Sequence, residues 1–217
     1  MTIDRRSFLG SLASTAVFAA TPAFAREVHY DNISYAPSEE QYFAGAVLDN
    51  GFEFRETNMQ LIDPQWRRQL VQYSHEQRPG TIIVDTSNHF LYVAYENNVA
   101  LRYGVGVGKD GFKWFGSAHV DRKEIWPGWT PPPEMLVRRP DLPRHMAGGP
   151  ENPLGPRAMY LYRNGRDLGY RLHGTVEPWT IGTDASSGCI RLLPEDVIDL
   201  YQRTPIGTKV MVLDRIA

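Results

Sequence analysis

The 217-residue sequence contains a single cysteine, Cys189, so no disulfide can form within the chain. It has neither a Cys-x-x-Cys nor a His-x-x-x-His pair, which removes the common zinc spacings, and no metal or other cofactor is expected. Positive charge is also scarce: 23 Lys and Arg against 25 Asp and Glu give a formal net charge of −2. No basic stripe follows the chain, so a nucleic-acid partner is not expected. Beyond residue 25 no apolar run approaches the roughly 20 residues a membrane helix needs. Turn formers and rings, in contrast, are plentiful. With 16 Pro, 19 Gly and 12% aromatics, the composition points to a loop-rich, mainly β protein rather than a helical bundle.

Residues 1–25 read as a signal peptide. Arg5 and Arg6 form a positive head, Phe8 to Ala20 is apolar but too short to span a bilayer, and Ala23-Phe24-Ala25 supplies a small-x-small cleavage pattern. The mature chain is then expected to begin at Arg26 in the periplasm, with no transmembrane segment. Asp4-Arg5-Arg6-Ser7-Phe8-Leu9 resembles a twin-arginine export signal, although Asp4 and Gly10 depart from the usual pattern, and the ordinary secretory route stays open. An idle exposed thiol is a liability in an oxidising compartment, so Cys189 is expected to be a working nucleophile.

Residues 26–79 are expected to form a partly helical N-terminal extension. Ser38-Glu39-Glu40-Gln41 has the pattern of a short helix start. Pro64 to Glu76 reads as a longer helix with Trp66, Leu70, Val71 and Tyr73 on one side. The pattern changes at Gly80. Thr81 to Thr86, His89 to Tyr95 and Val99 to Val107 read as three antiparallel strands joined at Ser87-Asn88 and Glu96-Asn97-Asn98. Ala158 to Tyr162 and Leu168 to His173 flank the turn signal Asn164-Gly165, Pro194 to Tyr201 reads as a helix, and Lys209 to Leu213 as a closing strand. The stretch from Gly108 to Pro156 lacks periodicity and reads as one long loop covering the site, with Trp114, Trp126 and Trp129 either facing substrate or capping the sheet.

A cysteine attacks a carbonyl as its thiolate and needs a base to get there. His173 ends a predicted strand, precedes Gly174, and lies 16 residues before Cys189 (189 − 173 = 16), a spacing that lets a loop bring the two together. The backbone amides of Gly188 and Cys189 are candidates for an oxyanion hole. Arg191 could bind a substrate carboxylate, or form a structural salt bridge with Asp184, Glu195 or Asp196. The competing reading of Cys189 is a small buried apolar residue.

His173-Gly174-Thr175, Ile181-Gly182 and Ser186-Ser187-Gly188-Cys189-Ile190-Arg191, together with Thr81 to Asp85 and Asn152-Pro153-Leu154-Gly155, resemble the L,D-transpeptidase catalytic domain family of bacterial cell-wall enzymes. The resemblance covers residues 80–214, which are expected to form the catalytic domain. It implies a mainly β, sandwich-like fold with a few short helices and a long substrate-covering loop. It also implies cysteine acyl transfer on peptidoglycan tetrapeptide stems, with release of D-Ala and formation of 3-3 cross-links through a thioester. In this reading Cys189 is the nucleophile, His173 moves the proton, the Gly174 carbonyl orients its ring, and Ser187, Arg191 and Trp129 contact substrate. Ser187 stands where the family usually has histidine. Three alternatives accompany this reading: an L,D-carboxypeptidase or related hydrolase, attachment or release of a wall-anchored lipoprotein, and a noncatalytic wall-binding module.

Overall fold

The computed structural model describes residues 36–109 and 114–213. The expected signal peptide lies outside the described residues. After a single 3-10 turn at Glu39–Tyr42, closed by a reciprocal Ser38/Gln41 capping box, a hairpin forms from β1 (Phe43–Asp49) and β2 (Phe52–Thr57). This hairpin was not expected from the sequence pattern. Its turn at Asn50 and Gly51 takes positive φ at both residues, as a tight hairpin demands.

The helix expected over residues 64–76 does not form. Only Pro64–Trp66 makes a 3-10 turn, capped by the Asp63 carboxylate accepting from the Gln65 amide, and the chain then extends into β3 (Gln69–Gln72), antiparallel to β6 (Val99–Gly104). Tertiary contacts override the helical spacing here. The Trp66 ring packs against Phe90 and lies so close to Gly182 that a Cβ there would meet the indole at 2.4 Å.

The meander appears as expected, with β4 (Ile82–Asp85) and β5 (Phe90–Ala94) antiparallel to each other and β5 to β6. A short β7 (Val107–Gly108) follows. The long cover loop requires correction, because ten of its residues form β8 (Gly116–Ile125), a strand in the middle of the sheet. Beyond it come a one-turn α1 (Pro133–Arg138), β9 (Arg157–Arg163), β10 (Arg166–His173), β11 (Asp184–Ser186), β12 (Ile190–Arg191), α2 (Pro194–Arg203) and β13 (Lys209–Val212).

Among the described residues, nine strands form one sheet in the order β12-β10-β9-β8-β13-β4-β5-β6-β3. The closing strand β13 lies at its centre, parallel to β4 and antiparallel to β8. The sandwich is this single sheet curled around one core. Ile82, Leu91 and Tyr103 from one half meet Val120, Met159 and Leu172 from the other, with Val197 and Leu200 of α2 packed among them. Where the curl closes, Gly106 and Arg191 exchange both backbone hydrogen bonds, at 2.9 and 2.8 Å. No helix among the described residues is long and apolar enough to cross a membrane.

Candidate active site

Strand pairing builds the site. β10 and β12 run parallel, with Leu172 opposite Ile190 and His173 opposite Arg191. Side chains alternate along a strand, and Leu172 and Ile190 are buried in the core. Arg171, His173, Cys189 and Arg191 therefore share the opposite face, and all four line a cleft of about 410 Å³. The strand geometry thus brings Cys189 and His173, 16 residues apart in sequence (189 − 173 = 16), to one cleft.

The loop before Cys189 is fixed from both sides. β11 pairs in parallel with β7, and the Asp184 carboxylate lies 2.8 Å from His89 Nε2. The buried Ser186 hydroxyl donates to the Cys189 carbonyl and accepts from the Gly188 amide at 3.1 Å. Gly188 has φ of 116°, a conformation that favours glycine. Because the Gly188 N–H is engaged by Ser186, the Cys189 amide is the better of the two oxyanion candidates. Sequence reasoning passed over Ser186, although a serine two residues before a glycine in a turn is a recognisable local signal.

His173 is buried, and its Nδ1 lies 2.6 Å from the Gly174 carbonyl. A carbonyl can only accept, so Nδ1 carries the proton and Nε2 presents its lone pair. Burial, reinforced by the Arg191 charge, pushes the imidazole pKa down to about 3, so the ring is neutral at physiological pH. Cys189 is half-buried, its Sγ 4.0 Å from the Gly169 carbonyl. Burial raises the thiol pKa, and the Arg171 guanidinium pulls in the opposite direction. A neutral imidazole and a protonated thiol lining one cleft suit proton transfer during attack better than a resting ion pair.

The structure distributes the other candidates unevenly. Ser187 is exposed and lines the cleft, as does half-buried Trp129, whose backbone exchanges two 2.8 Å hydrogen bonds with Met146. Arg191 also lines the cleft, but its Nη1 is paired with Glu177 at 2.6 Å, a partner outside the three carboxylates weighed from sequence. Trp126 is buried under the hairpin with Phe52 and Phe54, and Trp114 stacks on Tyr170, so of the three tryptophans Trp129 lines the cleft. Buried Asn152 explains its own motif: its amide donates to the carbonyls of Pro127 and Ala147 while its oxygen accepts from Leu154, clamping the cover over the site. Arg122, Glu124, Tyr160 and Arg171 complete the cleft wall and were not singled out from sequence. Alternation along their strands was the available signal. Among the described residues no group of His, Cys, Asp and Glu could hold a metal ion.

Comparison with known proteins places the sequence in a family. The family model for the L,D-transpeptidase catalytic domain matches residues 79–212. The chain is 32% identical over 146 residues to "Probable L,D-transpeptidase ErfK/SrfK" of Escherichia coli, covering 64% of this chain and 45% of that one. It is 41% identical over 98 residues to a putative L,D-transpeptidase of Fuscovulum blasticum, covering 45% and 49% respectively. The chain thus spans about half the length of the curated relatives it matches. A solved structure from Brucella melitensis, described as a probable carnitine operon oxidoreductase, is 47% identical over 72% of this chain and 99% of its own, with a TM-score of 0.48. By the family model and by the cleft in which its motif residues converge, the chain belongs to the L,D-transpeptidase catalytic domain family.

Proposed function

We propose that the protein is an exported cysteine acyltransferase acting on peptidoglycan tetrapeptide stems. The observation that carries this reading is the shared cleft: Cys189 and His173 line it from adjacent parallel strands, and with the Nδ1 proton held by the Gly174 carbonyl, Nε2 of His173 is the nitrogen that carries the lone pair. His173 takes the thiol proton as sulfur attacks the carbonyl of the third stem residue. The bond to the terminal D-Ala breaks, its amine leaves with the proton from His173, and a thioester remains on Cys189. An amine of a second stem then attacks the thioester, gives its proton to His173 and releases the thiolate, forming the 3-3 cross-link. The Cys189 amide faces the developing oxyanion. Residues 1–25 direct the chain to the periplasm.

Incubation with defined tetrapeptide muropeptides, followed by mass spectrometry, tests this assignment. Wild-type protein is expected to release D-Ala and yield cross-linked dimer, and a carbapenem is expected to add once to Cys189. Cys189→Ala should do neither. His173→Ala should fold and lose about 10² to 10⁴ in acylation rate. A folded wild-type protein that neither releases D-Ala nor takes up the β-lactam overturns the reading.

A further inference from the structure

Three cross-strand neighbours form a row leading to the nucleophile. Arg122 on β8 pairs with Tyr160 on β9, and Tyr160 pairs with Arg171 on β10. The next strand edge carries Cys189, one position before the Leu172 and Ile190 pair. Both guanidinium groups lie against the same ring, Arg122 at 3.6 Å and Arg171 at 5.0 Å from its centroid. Such cross-strand neighbours act as one surface.

Charge is balanced at every arginine of this cleft except Arg171. Arg122 is paired with Glu124 at 2.7 Å, and Glu124 also accepts from the Tyr160 hydroxyl at 2.7 Å. Arg191 is paired with Glu177. Among the described residues, Arg171 has no carboxylate partner. Its Nη1 donates 2.8 Å to the Gly169 carbonyl, the same oxygen that lies 4.0 Å from Cys189 Sγ. A half-buried guanidinium lying over a ring, held by one backbone oxygen, near enough to Cys189 to act on its thiol and without a carboxylate partner among the described residues, presents its remaining donors to whatever occupies the cleft.

We infer that Arg171, stacked on Tyr160 and backed by the Arg122–Glu124 pair, is the binding site for a carboxylate of the donor peptide beside the scissile bond. This deepens the acyl-transfer reading of the same cleft and rests on it. The role foreseen for Arg191 thereby passes to Arg171, because Glu177 already occupies Arg191. The chemistry favours arginine, since a planar fork matches a carboxylate in a way that a lysine ammonium does not.

The test is a binding cycle in the Cys189→Ala background, in which no acylation obscures affinity. Tetrapeptide stems are titrated by calorimetry as the native peptide and as a series in which one carboxylate at a time becomes a carboxamide. One of these amides is expected to weaken binding by about tenfold or more. Arg171→Gln should weaken the native peptide to a similar degree, and that amide should then cause no further loss. Arg171→Lys should recover binding in part. Losses that multiply, or a series in which no single amide matters, overturn the subsite. In the Cys189-containing protein, Arg171→Gln should raise KM more than it lowers kcat for the native donor, and much less for the donor whose critical carboxylate is already an amide. Because the guanidinium also holds the thiol pKa down, iodoacetamide alkylation should move to higher pH independently of the donor. Equal losses for every donor, carboxylate or carboxamide, overturn the subsite in favour of a role confined to tuning the thiol. Arg171-dependent binding without D-Ala release overturns the acyl-transfer reading alone. Release without carboxylate dependence overturns the subsite alone, and absence of stem binding overturns both.

Discussion

Substitution of Asp49 should loosen the N-terminal hairpin and reveal how much of the fold's stability the hairpin carries. Asp49 ends β1, and its carboxylate receives both Nη1 and Nη2 of Arg157, at 2.7 and 2.8 Å, and the Trp126 indole N–H at 3.0 Å. The Arg157 side chain is 5% exposed and that of Asp49 16%. Asp49→Ala would leave the Arg157 guanidinium buried with the Pro156 carbonyl as its remaining hydrogen-bond partner and the Tyr201 ring 5.4 Å away. Breaking a buried pair from one side costs about 3–5 kcal/mol, and the partial exposure of Asp49 favours the low end, about 3 kcal/mol. For a domain of this size, 1 kcal/mol moves Tm by roughly 2–4 °C, so a fall of roughly 6–12 °C is expected. Differential scanning calorimetry at pH 7 provides the measurement. Asp49→Ala/Arg157→Met should recover part of the loss, since no buried charge is then orphaned. Arg157 also holds the Asp49 carboxyl below its usual value of 3.8, so this stabilisation is complete above that pH and disappears as acidification protonates the folded carboxyl. An Asp49→Ala protein melting within 2 °C of wild type at pH 7 would refute the reasoning.

Three further outcomes are expected. His173 titrates near 6.5 when unfolded and about 3 when folded, so its contribution falls below pH 6.5, by up to about 1.4 kcal/mol per unit, or about 2 kcal/mol by pH 5. Buried Asp196, pushed up to about 7, works in the opposite sense, its share being lost as pH rises from 3.8 through 7. Urea titrations of wild type and His173→Gln at pH 5 and 7 isolate the histidine, and equal pH slopes in the two proteins would count against its being buried neutral. Gly182→Ala should destabilise by about 2–4 kcal/mol in the same assay, since φ is 84° and the new methyl would meet the Trp66 ring; a wild-type midpoint would show that Trp66 yields. Ser187→His should keep D-Ala release within about tenfold, because Ser187 is exposed at the cleft and an imidazole there displaces no core. Collapse of release in that folded variant would reveal a specific role for the serine.

Local patterns were legible where the chain's own neighbours decide its conformation. The turn at Ser87-Asn88, the β4-β5-β6 meander, the tight turn at Asn164-Gly165 and the amphipathic α2 follow from β-branched runs, turn residues and acidic first-turn positions. That Cys189 and His173 would share a cleft was legible for a different reason, because both sit in family motifs with distinctive flanking residues. Elements stabilised by distant partners were not legible. β8 carries charged and polar residues along its outer side and was mistaken for loop, yet it lies between β9 and β13. Residues 69–72 follow a helical spacing but are drawn into a strand by the open edge of β6. The hairpin is fixed by Arg157 and Glu195, which lie more than a hundred residues away in sequence. Which arginine is free to meet an anion was likewise a tertiary matter. The sequence pointed to Arg191 alone, and it took the fold to show that Glu177 lies against Arg191 while Arg171 lines the same cleft without a carboxylate partner among the described residues. The sequence alone determined the family motif and the local backbone around it, since these depend on residue identity and short-range geometry. Only the curled sheet decided what surrounds them, since ion pairing and burial depend on chain segments that meet only after folding.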